Sequence, residues 1–172
     1  MYVSFDHIDK TAKSWVYSLE KKCSNHIQDL DIFLKDLCEN WKSHNQPVKA
    51  SYKIYEDSFI ILFAENSISG CSIDNSNKLI REKLNDLNID IMSNSKIGIF
   101  NDGKLVYYDR LSLINKLKEG KVDIYKKMIN TTIQTKEEFN KKWILEINNS
   151  WLVNFIKSVS YTHLTLPTKR IV

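Results

Sequence analysis

The sequence predicts an α+β fold built on an antiparallel sheet, and three observations predict it. Residues 48–55 alternate polar and apolar side chains, and the polar pair Glu56-Asp57 separates them from the unbroken apolar run Phe59–Ala64. Two stretches, 27–41 and 79–87, place apolar residues at three- and four-residue steps, the period of a helix face. Asn101-Asp102-Gly103 divides two further short apolar stretches, a strong hairpin signal.

Taken in order, residues 15–19 are a β-prone run of aromatic and branched side chains. Asn25 with Gln28 suits a helix start, and Ile27, Leu30, Phe33, Leu34, Leu37 and Trp41 line one side of the helix that follows. That helix is expected to end near His44, because Pro47 bars continuation and holds Gln46 extended. Strands 48–55 and Phe59–Ala64 come next; the second is apolar on both faces and therefore central. A loop, 65–71, leads into Ser72-Ile73-Asp74-Asn75-Ser76, rich in helix-capping residues, and a helix carrying Leu79, Ile80, Leu84 and Leu87. The hairpin strands are 96–100 and 105–108. A short helix then runs from Asp109 or Ser112 to Gly120, where a C-terminal cap is natural. Residues 121–133 fit no single period. Thr135-Lys136-Glu137-Glu138 is a capping box for a helix through Lys142, and 149–152 open one or two more turns. The first hundred residues thus read β-α-β-β-α-β, the ferredoxin-like split β-α-β pattern, with an extra strand and C-terminal helices added to its sheet.

Composition excludes several classes. The chain has 172 residues, with 25 Lys+Arg against 21 Asp+Glu. Only three of the basic residues are Arg (Arg81, Arg110, Arg170), and the lysines are interleaved with acids, so no basic stripe for nucleic acid emerges. The longest apolar run is six residues, far short of a bilayer span, and the first residues lack the pattern of a secretory signal. Three unpatterned cysteines point to a reducing, cytoplasmic setting. The surplus of Asn and Ile over Ala reflects A+T-rich coding rather than function.

Phosphate and metal signatures fail as well. The four glycines (Gly70, Gly98, Gly103, Gly120) satisfy neither the P-loop spacing nor G-x-G-x-x-G, so no nucleotide cradle is encoded. His7, His26 and His44 stand far apart, and Cys23, Cys38 and Cys71 contain no C-x-x-C, so no metal site and no cofactor is implied. Trp15, Trp41, Trp143 and Trp151 read as packing residues, since base-stacking platforms need a basic groove beside them.

Two polar segments remain: 38–51, containing Cys-Glu-Asn-Trp, His44, Pro47, Lys49 and Ser51, and 69–76, Ser-Gly-Cys-Ser-Ile-Asp-Asn-Ser. With the closing Ser150-Trp151-Leu152, these blocks resemble a family of small bacterial cytosolic proteins often labelled "ABC transporter ATPase". Ser4 stands where that family carries a proline. The resemblance spans 1–157 and implies no mechanism, and the missing Walker glycines leave the ATPase label unsupported by the residues. From residue 159 the text changes: 159–172 hold no Asn and no acid, yet carry one of two prolines and one of three arginines. This tail resembles translated sequencing-adaptor DNA at the end of a metagenomic reading frame. The expected organisation is one domain, 1–158, with a non-native tail, 159–172.

In the second block, Gly70 is expected to free the backbone and Ser72 or Asp74 to cap the helix, which places Cys71 at a helix N-terminus that favours an anion. The leading expectation is a binding or interaction module. Its site would comprise Lys49, Ser51, Ser69, Gly70, Cys71, Ser72, Asp74 and Ser76, and its partner a small anionic ligand or a protein. The rival is a thiol-dependent enzyme or redox protein with Cys71 as nucleophile and His44 as base. A third reading, an ATPase-associated protein, follows from the family label alone. In the plainest reading, Ser72, Asp74 and Ser76 only cap a helix and Cys71 packs as a small apolar residue.

Overall fold

The computed structural model describes residues 1–65 and 68–160. The tail 159–172 lies outside them, apart from the backbone of Val159 and Ser160. The fold is α+β with antiparallel sheets, and its described residues form two compact units, one from 1–93 with 131–143 and one from 94–130 with 144–160.

In the first unit, β1 (Lys13–Ser18) leads through a 3-10 turn, Ser24–His26, into α1 (Ile27–Asn40). No side chain caps that turn or the helix, so Asn25 does not play the expected role. The helix stops at Asn40 rather than near His44. Trp41 turns extended, and β2 (Lys42–Ser43) pairs with β3 (Gln46–Pro47) around His44-Asn45. Both turn residues have positive φ, 50° and 61°, the type I′ geometry that matches strand twist. Helical periodicity ran through Trp41, but the two-residue loop ends the helix first.

Then β4 (Ala50–Tyr55) and β5 (Phe59–Ala64) form the expected hairpin, with Glu56 and Asp57 left-handed at its turn. That turn is anchored. The Asp57 carbonyl accepts from the Cys23 N–H at 2.8 Å, and its carboxylate accepts from Ser24 Oγ at 2.8 Å. The sheet order is β1-β5-β4, so β5 is central, and every one of its residues is buried. One sheet face (Tyr17, Ala50, Ile60, Leu62, Ala64) packs on Leu30, Leu34 and Leu37 of α1 and on Ile80 and Leu84 of α2 (Gly70–Asp86). The other carries aromatic rings: Phe63 lies 5.3 Å from Phe5 and 5.7 Å from Phe139, and Phe59 lies 5.3 Å from Trp143. Phe139 belongs to α4 (Lys136–Lys142), whose N-cap Thr135 accepts from the Glu138 N–H. The Glu138 carboxylate closes the capping box on Gln134 N–H at 2.7 Å, one residue before the cap.

The strand over 96–101 departs from the β-α-β-β-α-β expectation. β6 (Lys96–Asn101) joins the sheet of the second unit, order β7-β6-β8-β9, with β7 (Lys104–Asp109), β8 (Lys127–Ile129) and β9 (Ile144–Glu146). Its hairpin with β7 turns at Asp102-Gly103, as expected. Beside β1, the edge position carries isolated bridges instead of a strand, Leu19 to Ile91 and Lys13 to Thr135. In the second unit, α3 (Arg110–Lys118) is capped by Asp109, and α5 (Val153–Ser160) follows the turn at Trp151. The Arg110 guanidinium sits over the Trp151 ring at 4.8 Å. β8 is the strand that forms within the ambiguous 121–133 stretch. No helix among the described residues is long and apolar enough to cross a membrane.

Candidate functional site

The two helices on the first sheet run antiparallel and are tied at both ends. Near the start of α1, Asp29 accepts from Lys83 Nζ near the end of α2 at 2.8 Å. Past the other end of α1, the Trp41 indole N–H donates to Ser72 Oγ at 2.8 Å, and Ser72 Oγ donates to the Lys42 carbonyl at 2.6 Å. One side chain of the first turn of α2 therefore holds both the α1 exit and the β2–β3 hairpin. Ser43 of that hairpin accepts from the Ser69 N–H at 3.0 Å.

Ser69, not Ser72 or Asp74, is the N-cap of α2, and its side chain accepts from the Ser72 N–H at 3.3 Å. Gly70 is already helical, and a β-carbon there would meet no heavy atom within 4 Å, so nothing local requires a glycine. Ser76 is buried and donates to the Ser72 carbonyl at 3.1 Å. Cys71 and Asp74 are exposed. The expected residues of the second block thus split: Ser69, Ser72 and Ser76 hold structure, while Cys71 and Asp74 face outward.

The first block disperses too. His44 occupies the exposed hairpin turn. Lys49 pairs with Glu65 at 3.6 Å. Ser51 is fully buried but sits opposite Phe63 in the β4–β5 register, on the aromatic face, away from α2. It therefore does not share a surface with Ser69–Ser76. No hydrogen bond joins His44 to Cys71. Among the described residues no three His, Cys, Asp or Glu side chains gather to hold a metal ion.

A cleft of ≈ 320 Å³ opens between α1 and α2, walled by Phe33, Asp36, Leu37 and Asn40 on one side and Asn75, Ser76 and Leu79 on the other, with Trp41, Lys42 and Ser72 at one end. Leu79 is 39% exposed, and Phe33 is partly buried. Asn40 Nδ2 donates to the Asp36 carboxylate at 2.9 Å and to its carbonyl at 3.1 Å, which holds Asp36 in place. The Asn75 amide and the Lys42 ammonium make no side-chain hydrogen bond or ion pair among the described residues. Sequence reasoning named Ser72 and Ser76 and marked the segments 38–51 and 69–76 that contain Asn40, Lys42 and Asn75 without assigning these three to the site, and it missed Asp36. The one local signal for Asp36 is its i, i+4 spacing to Asn40.

The nearby titrating groups are structural. Burial pushes the Cys38 thiol up to about 12 and the Tyr17 phenol up to about 12. Tyr17 also donates to Asn77 of α2. Burial, together with the Asp31 carboxylate that accepts from it at 2.6 Å, pushes the Tyr52 phenol well above its ordinary range.

No family model, no curated protein and no solved structure matches this chain.

Proposed function

We propose that the chain is a small-ligand-binding module whose site is the α1–α2 cleft. A single observation carries this reading. The cleft keeps apolar surface and hydrogen-bonding capacity unspent (Leu79, Asn75, Lys42), while its walls are fixed by Asp29–Lys83 and Trp41–Ser72–Lys42. The lining sets Phe33, Leu37, Trp41 and Leu79 among six polar residues, and concave small-molecule sites likewise combine apolar surface with placed polar groups. The thiol reading needs Cys71 and His44 near hydrogen-bond reach, and it has no such contact to build on. We also read β1-α1-β4-β5 as the split half of a ferredoxin-like core, with the Leu19–Ile91 bridge in place of a fourth strand.

A fragment screen on the full chain, followed by two-dimensional ¹⁵N NMR, tests the site. Binders are expected to shift the Trp41 indole N–H and the Asn75 side-chain amide together. Shifts confined to other surfaces, or none across a broad screen, would remove this reading.

A further inference from the structure

The charges around the cleft narrow its ligand. Asp36 is exposed and makes no ion pair among the described residues; its carboxylate accepts from the neutral Asn40 amide, which leaves a negative charge at the cleft wall with only solvent and that amide against it. Lys42 is anchored through its own carbonyl to Ser72, which fixes where its side chain begins, while its ammonium has no acidic partner among the described residues. A bare phosphate or fatty anion would meet Lys42 but also face Asp36. A diamine would meet Asp36 but face Lys42. Like charges at such a site cost more than a neutral contact would.

From these observations we infer that the cleft takes a short zwitterion with an apolar body, of the size and chemistry of an apolar dipeptide. This rests on the reading of the cleft as a binding site. Its ammonium meets the Asp36 carboxylate, its carboxylate meets Lys42 Nζ, and its side chains lie on Phe33, Leu37 and Leu79. The Asn75 amide, which offers both donor and acceptor, faces the ligand's own amide bond. The dimensions allow this. Four residues of helix rise and two extended residues put the Asp36 and Lys42 Cα atoms at most ~13 Å apart. Both residues line the cleft, and an extended dipeptide spans ~7 Å, within that upper bound. A cleft of ≈ 320 Å³ stands at the small end of ligand pockets, too small for a long peptide.

The test titrates the ¹⁵N-labelled full chain with Leu-Leu, Leu-Phe and Phe-Leu, and with their N-acetyl and C-terminal amide forms. The free dipeptides are expected to shift the Trp41 indole and Asn75 amide saturably. Each blocked form is expected to bind about tenfold more weakly, the effect of losing one hydrogen bond to a charged group. Asp36→Asn should abolish the discrimination against N-acetylation, and Lys42→Met that against amidation, each without altering the rest of the spectrum. Equal binding of free and blocked forms overturns the zwitterion assignment. So does a screen in which neutral fragments shift Trp41 and Asn75 and the dipeptides do not, although the cleft then stands as a site. If neither fragments nor dipeptides shift these two groups, the site itself is refuted, and the ligand class with it.

Discussion

The Trp41 indole N–H and Ser72 Oγ, 31 residues apart in sequence, meet at 2.8 Å, and the same hydroxyl donates onward to the Lys42 carbonyl. Trp41 is buried, with its ring 5.9 Å from Trp15, so removing Ser72 Oγ strands a buried donor. Ser72→Ala is expected to cost about 1–3 kcal/mol. In a chain of this size that lowers the melting temperature by roughly 2–4 °C per kcal/mol. Asp74→Ala, at an exposed position in the same stretch of helix, should stay within about 0.5 kcal/mol. Equal effects of the two substitutions would show that the Trp41–Ser72 bond does not hold the α1 exit.

The three cysteines should differ in reactivity by access. Cys71 is exposed, whereas Cys23 and Cys38 are each 0% exposed. Burial also raises both buried thiols above their ordinary value, so little thiolate forms while they stay packed. In a native iodoacetamide time course read by peptide mass spectrometry, Cys71 should be alkylated first and alone. Comparable early labelling of Cys38 would contradict the packing of α1 on the sheet.

Alkali should destabilise the fold. The folded chain holds protons on Cys38 and Tyr17 up to about 12, while the unfolded chain sheds them from about 9 for the thiol and 10 for the phenol. The folded pKa values are raised, so their stabilisation is complete below pH 9 and is lost as pH rises through the window from 9 to 12. Each group contributes a slope of up to about 1.4 kcal/mol per pH unit within its part of that window. Urea midpoints measured from neutral pH upward should be flat at first and then fall. Cys38→Ala should flatten the earliest part of the decline, and an unchanged profile would count against a buried Cys38.

Two glycines should respond in opposite directions. Gly103 sits at φ +77°, a conformation that L side chains rarely adopt, so Gly103→Ala should cost about 1 kcal/mol through the β6–β7 turn. Gly70 is helical with open space around it, so Gly70→Ala should be neutral or stabilise by up to about 1 kcal/mol. Denaturant melts of the two variants check this. A loss of stability in Gly70→Ala would mean that the start of α2 needs glycine after all.

The sequence by itself determined the elements whose causes are local. The apolar run Phe59–Ala64 announces a strand buried on both faces, and β5 is central for that reason. Asp102-Gly103 tolerates positive φ and turns its hairpin where expected, and Thr135 and Asp109 cap their helices through their own side-chain oxygens. Where local signals competed, the outcome was less legible: Ser69, Ser72 and Asp74 can all cap, and only the Ser43 hydroxyl waiting on the hairpin sets Ser69 as the cap of α2. Only the tertiary structure decided which strand lies beside β1 and which residues wall the cleft. β6 has the composition of a sheet strand, but composition does not say which sheet, because the backbone hydrogen bonds of a strand can be satisfied by either edge. Asp36 and Asn75 stand 39 positions apart and carry no shared signal. They face each other because α1 and α2 lie antiparallel on one sheet face, an arrangement set by burying Leu34 and Ile80 against the same β5 rather than by anything in either helix alone.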